Sequence, residues 1–91
     1  MGFQWDDGKE AANLRKHGVE FDEAATTFYD PLALVLPDEE HSEVEDRWIL
    51  LARSVRGRLL VTVFTERGEN IRIISSRGAT PREVKSYEEG I

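Results

Sequence analysis

Residues 47–76 read RWILLARSVRGRLLVTVFTERGENIRIISS, and this stretch decides the fold. Arg47–Val55, Leu59–Thr65 and Asn70–Ser76 are rich in aliphatic, aromatic and β-branched side chains. They are separated by Arg56-Gly57 and by Arg67-Gly68-Glu69. Strand-forming runs joined by short glycine turns read as an antiparallel meander. Just downstream, Thr80-Pro81-Arg82-Glu83 is a helix start: Thr80 caps, Pro81 suits the first helical position, and Glu83 completes a capping box. A short helix is expected from there to about Glu88. Upstream of the meander, Asp38–Asp46 is a polar, acidic connection, and Leu32–Leu36 is an apolar strand bounded by prolines. Further back, Phe21, Ala24, Ala25 and Phe28 form one apolar stripe of a helix over Phe21–Tyr29, stopped by Asp30-Pro31. Gly8–His17 is a second helix, with Asp6 or Asp7 as cap and Arg15, Lys16 and His17 at its end. Gly18 fits the left-handed position that closes it. Phe3–Trp5 is a first strand. The order β-α-α-β-β-β-β-α predicts an α+β fold: an antiparallel sheet with two N-terminal helices and a short C-terminal helix packed on one face.

The length, 91 residues, supports one domain. No cysteine is present, which excludes disulfide stapling, thiolate catalysis and cysteine zinc sites and fits a cytoplasmic setting. No apolar run approaches the roughly 20 residues of a membrane span, and residues 1–7 lack the features of a signal peptide. The formal net charge is −6, but it is unevenly spread. Residues 1–46 carry 3 basic and 13 acidic side chains; residues 47–85 carry 9 basic and 3 acidic ones, and all the basic ones but Lys85 are arginine. This is the pattern of a basic surface on an acidic protein. Arginine's planar fork suits phosphate or carboxylate, although cations also protect sheet edges.

In Asn70–Arg77, regular alternation places Ile71, Ile73, Ser75 and Arg77 on one face and Arg72, Ile74 and Ser76 on the other. An arginine between isoleucines either pairs with an acid (Glu45, Glu66 or Glu69) or points into an anion site. Arg77, at the strand's end, is placed to reach into a cleft beside Ser75 or Ser76. A bulge near Ser75-Ser76 would bring the two arginines together; without one, Arg77 leads alone. On the first helix, Lys9, Asn13 and Lys16 or His17 fall on one polar face, read as a phosphate-contacting surface or as plain solvated surface. His17 is the better placed histidine for proton transfer. No metal motif, phosphate loop or nucleophile elbow occurs, and no cofactor is expected. Asp38-Glu39-Glu40-His41 reads as a solvated loop rather than a metal site. Trp5 and Trp48 read as core or cleft walls.

Together these residues resemble the BrnT family, the ribonuclease toxins of BrnT/BrnA type II toxin–antitoxin modules. The resemblance rests on Phe3-Gln4-Trp5-Asp6, Lys9, Asn13, Lys16-His17-Gly18-Val19, Phe21-Asp22-Glu23-Ala24, Phe28, Asp30-Pro31, Glu45-Asp46-Arg47, Ile71–Arg77 and Tyr87-Glu88. It implies a RelE-like fold, an endoribonuclease that blocks translation, and a cognate BrnA-type antitoxin that binds DNA. It carries Lys9, His17, Glu45, Arg47, Arg72, Arg77 and Tyr87 over as catalytic candidates. Lys9, Asn13, Lys16, Arg47 and Arg77 are the expected RNA contacts. The chain departs from the family pattern at Val44, at Ser75-Ser76-Arg77-Gly78, and at Glu20, a poor cap for the second helix.

Metal-independent attack of a 2′-hydroxyl on the adjacent phosphate needs a base, cations at the phosphoryl oxygens and an acid at the leaving oxygen. Arg72, Arg77 and Arg47 are the cations, Glu45 or His17 the base, and Lys9 or Tyr87 the group that assists departure. The rival reading is a non-catalytic module whose basic sheet docks an antitoxin or another acidic partner. Direct DNA binding by this chain and any membrane association are not expected.

Overall fold

The computed structural model describes residues 1–41 and 45–90; Val44 lies outside them. The elements are β1 (Gly2–Gln4), α1 (Asp7–His17), α2 (Phe21–Thr26) with a 3-10 turn at Thr27–Tyr29, and β2 (Leu34–Pro37) with a 3-10 turn at Glu39–His41. Then come β3 (Trp48–Arg53), β4 (Leu59–Arg67), β5 (Asn70–Gly78) and α3 (Pro81–Glu89). The order matches the sequence reading. The five strands lie β1-β5-β4-β3-β2. β2 to β5 pair antiparallel, whereas β1 runs parallel to β5, with Phe3 beside Ile71. No tight turn links β1 to β5, so nothing imposes the antiparallel pairing of a hairpin.

Local chemistry sets the helix ends. Asp6 Oδ1 accepts from Lys9 N–H at 2.9 Å, and Gly18, at φ 69°, closes α1 by donating its N–H to Leu14 O at 2.9 Å. Glu20 gives α2 no side-chain cap. Glu10, one helix away, replaces it, its Oε2 accepting from Phe21 N–H at 2.9 Å. α2 is shorter than the apolar stripe predicts. Thr26 and Thr27 turn their hydroxyls back onto Glu23 O and Ala24 O, both at 2.6 Å, and the last turn tightens to 3-10 geometry. At the other end of the chain, α3 carries the expected capping box between Thr80 and Glu83.

The sheet has two unlike faces. Leu50, Ala52, Leu60, Phe64, Ile71 and Ile73 meet Val19, Phe21 and Ala24 beneath α1 and α2. Phe28 packs edge-on to Phe64 with centroids 4.9 Å apart, and Trp5 packs against Phe21 at 5.9 Å. Each fully buried aromatic here is worth about 2–3 kcal/mol. On the reverse face Leu51 and Val61 pack with Tyr87 of α3. The helices are therefore not all on one side. α3 covers only the end of the reverse face near Leu59 and Ala79, because the capping box starts it within three residues of the end of β5.

One irregularity decides which side chains share that reverse face. In the β4–β5 ladder Phe64 pairs with Ile73 but Val63 pairs with Ser75, so Ile74 is an extra residue. Alternation restarts one residue late. Ser76 turns to the helix side, its hydroxyl 2.9 Å from that of Thr62 with both buried. Arg77 lies opposite Val61 and Arg72 opposite Thr65, both on the reverse face.

Candidate functional site

The reverse face beyond α3 is open, and the register fills it with cations. Arg67, Arg72 and Arg77 project from it, and Arg47 joins them. Asp38 N–H donates to Arg47 O at 2.8 Å, which extends the β2–β3 ladder one step past Trp48 and places Arg47 on the side of Ile49. Arg47, Thr65 and Arg72 then form one row across three strands. Arg77 lies four β4 residues further on, roughly 13 Å at about 3.3 Å per residue.

Near Arg77 the face becomes a groove of about 390 Å³. Its floor is Ile49, Val61 and Val63; His17 and Ser75 stand on one side, Asp38 and Glu40 on the other, and Arg77 belongs to the same lining. A second hollow of about 230 Å³ is lined by Lys9, Ala12, Asn13, Lys16, His17, Ile74 and Ser75. The two share His17 and Ser75, so one cleft bends around the margin of β5.

That margin is open because β1 pairs only with Asn70, Ile71 and Arg72. Asn13 stands in for the missing strand. Its Oδ1 accepts from Ser76 N–H at 3.0 Å and its Nδ2 donates to Ser76 O at 2.8 Å, as a neighbouring peptide group would. Nδ2 also donates to Val19 O at 2.9 Å. Asn13 is 6% exposed, so it lines the hollow with Lys9 and Lys16 as a buried side chain and not as solvated surface. Its amide holds α1 against β5 and so brings His17 beside Ser75.

The remaining candidates are placed as follows. Arg77 makes a double hydrogen bond to Glu83, Nη1 to Oε1 at 2.8 Å and Nη2 to Oε2 at 2.9 Å, and Nη1 also donates to Gly78 O at 3.2 Å. This guanidinium, with lesser help from Thr80, holds the Glu83 carboxyl at about 2, and the Glu83 carboxylate in turn raises Arg77 above its ordinary value. Arg72 pairs with none of Glu45, Glu66 and Glu69, and among the described residues it has no ion-pair partner. Glu45 instead meets Arg67 at 3.2 Å, at the end of the face remote from the groove. The Tyr87 hydroxyl donates to Asp30 Oδ2 at 2.6 Å and its ring lies 5.4 Å from the Arg53 guanidinium. The bond to Asp30, reinforced by burial, pushes the phenol up. Burial opposes ionisation of Asp30, but the Tyr87 hydroxyl and the N–H groups of Arg53 and Leu32 outweigh it and keep its carboxyl low. The structure thus brings Lys9, Lys16, His17 and Arg77 to one cleft. It sets Arg47 and Arg72 further along the same face, and it directs Tyr87 away beneath α3.

Three groups in or beside the cleft were not expected there. The sequence places Asp38 and Glu40 in a solvated loop; the return of the chain to pair Pro37 with Trp48 carries them to the groove. Glu83 reads in the sequence only as a cap. Its signal is its spacing: a strand that ends two residues before a capping box brings the capping-box glutamate back to the last strand arginine. Among the described residues, no cluster of three or more His, Asp or Glu side chains is arranged to hold a metal ion, and no helix is long and apolar enough to cross a membrane.

No curated protein matches the chain. Among solved structures, the 1.1 Å crystal structure of the Brucella abortus ribonuclease toxin BrnT superposes with a TM-score of 0.69 and 25% identity, covering 88% of this chain and 97% of that one. Residues 5–83 match the family described as the ribonuclease toxin BrnT of type II toxin–antitoxin systems. With the family match over residues 5–83 and the structural likeness in agreement, the chain belongs to the BrnT family of ribonuclease toxins.

Proposed function

We propose that this protein is a metal-independent endoribonuclease that inhibits translation by cleaving RNA and is neutralised by a cognate DNA-binding antitoxin of the BrnA type. The observation that carries the reading is the bulge at Ile74, which turns Arg77 to the face that already bears Arg72, Arg47 and Arg67. Single-stranded RNA laid along that face meets guanidinium forks suited to its phosphates.

The cleft supplies the groups for transesterification. His17 takes the proton of the 2′-hydroxyl as its oxygen attacks phosphorus. Arg77 stabilises the charge on the non-bridging oxygens. The phosphorus–O5′ bond breaks, and Lys9 gives its proton to the departing oxygen. The products are a 2′,3′-cyclic phosphate and a 5′-hydroxyl. His17 is preferred to Glu45 because it shares the cleft with Arg77, whereas Glu45 is engaged by Arg67. Lys9 is preferred to Tyr87, whose hydroxyl is spent on Asp30. Arg47, Arg72 and Lys16 bind flanking phosphates.

Incubation of the purified protein with single-stranded RNA, with and without a chelator, tests the reading. Cleavage that persists in chelator and leaves cyclic phosphate termini is expected. Intact RNA under both conditions would favour the second reading, a non-catalytic module whose basic face docks an acidic partner. That reading has its own support, since Arg67 and Arg77 already donate to carboxylates of Glu45 and Glu83.

A further inference from the structure

We infer that Glu83 is a positioning residue, which turns Arg77 so that one complete hydrogen-bonding fork of its guanidinium is left for a single phosphate. This rests on the reading of the cleft given above. A guanidinium has five N–H groups on three edges. Glu83 takes the end-on edge, one N–H from Nη1 and one from Nη2. Gly78 O takes the second N–H of Nη1. What remains is Nε–H and the other Nη2–H, which have no acceptor among the described residues. These two are parallel and form the side-on edge, the geometry that matches two oxygens of one phosphate.

The carboxylate is itself held. Glu83 Oε1 also accepts from Thr80 N–H at 2.8 Å, and Thr80 Oγ1 accepts from Glu83 N–H at 3.3 Å. The orientation of Arg77 is therefore referred to the first turn of α3. A carboxylate paired with a cation that contacts RNA weakens the attraction for the polyanion, so mere charge is not what it contributes. Orientation is, and the two effects separate experimentally. Removing the negative charge should help binding and harm turnover.

The test compares Glu83→Gln, Thr80→Ala, Arg77→Lys and Arg77→Ala with wild type. The measurements are kcat and KM on single-stranded RNA, Kd for a fluorescein-labelled single-stranded RNA in which 2′-deoxy residues block cleavage, thermal melting, and 15N relaxation of the Arg77 Nε. For Glu83→Gln the expected result is a kcat at least tenfold lower, a Kd equal to or tighter than wild type, and an Arg77 Nε that becomes mobile. Thr80→Ala removes only the hydroxyl cap and keeps the backbone N–H that holds Glu83 Oε1, so it should lower the melting temperature while keeping kcat within about twofold, which separates loss of the cap from loss of positioning. Arg77→Lys should be nearly as inactive as Arg77→Ala, because lysine offers no fork.

The inference is overturned if Arg77→Ala is inactive while Glu83→Gln keeps or gains kcat, or if Glu83→Gln weakens binding and turnover in parallel. An Arg77→Ala variant as active as wild type would instead sink the reading of the cleft. In a wild-type protein without activity the relaxation data decide: an Arg77 Nε as mobile as those of exposed arginines contradicts the inference.

Discussion

Two glutamates each grip an arginine through both carboxylate oxygens, and they serve different ends. Glu23, 6% exposed, takes Arg58 by the side-on edge: Oε2 accepts from Nε at 2.9 Å and Oε1 from Nη2. Ser54 Oγ donates to the same carboxylate at 2.7 Å, and Arg58 Nη2 reaches Gly18 O at 3.2 Å. The fork that could bind a ligand is thereby consumed by the scaffold, joining α2 to the β3–β4 hairpin and to the end of α1. Glu83 takes Arg77 by the other edge, at the rim of the cleft, and leaves the fork unspent. Residue types are the same at both places. Burial and the edge presented decide which pair is closed within the scaffold and which keeps its side-on fork open.

The largest effect on stability should come from breaking the inner pair. Among the described residues, Arg58→Ala leaves the buried carboxylate with Ser54 and the more distant Arg56 as its remaining polar partners. A buried pair broken on one side costs about 3–5 kcal/mol, reduced to roughly 2–3 here because the Arg58 side chain is 42% exposed. Urea titration should register that loss, with RNA cleavage per folded molecule unchanged. Asn13→Ala comes next. It strands the N–H and C=O of Ser76, at about 1–2 kcal/mol, and it slackens α1 beside Ser75, so both stability and cleavage should fall.

Acid should act on both pairs. The Glu23 carboxyl is held low chiefly by Arg58 and Glu83 chiefly by Arg77. A carboxyl whose folded value is depressed contributes stability present above its unfolded value, 4.5 here, and lost as pH falls through the folded value, about 2 for Glu83. The outer pair is partly solvated, so its share is about 1 kcal/mol after screening. Glu83→Gln should flatten the fall in stability between pH 4.5 and 2 by that amount, as read by denaturation at stepped pH. The smallest effect is reserved for Arg72, four residues along the face. Arg72→Ala should leave stability alone, weaken RNA binding several-fold, and lower the slope of log affinity against log salt by about 0.7.

Much of this arrangement was legible in the sequence. The glycine turns, the prolines at Pro31 and Pro81 and the apolar stripe of α2 gave the element order, since each acts through its immediate neighbours. The charge asymmetry located the basic half. What escaped was long-range. The parallel pairing of β1 and the placing of α3 on the reverse face depend on packing. The odd spacing of Arg72 and Arg77 leaves a bulge near Ser75-Ser76 as one of two possibilities, and only the register fixes Ile74 as the extra residue. Asn13 read as surface because helical periodicity cannot foresee that a strand edge lacks a partner. Glu10 as the remote cap of Phe21 and Tyr87 as the partner of Asp30 were invisible for the same reason.

The most direct measurement is the RNA cleavage rate of Arg77→Ala beside Arg58→Ala at equal concentrations of folded protein, in the presence of chelator. The outer arginine should prove indispensable, with at least a hundredfold loss of rate, while Arg58→Ala cleaves as wild type does. A folded Arg77→Ala protein that cleaves RNA at the wild-type rate would contradict the account.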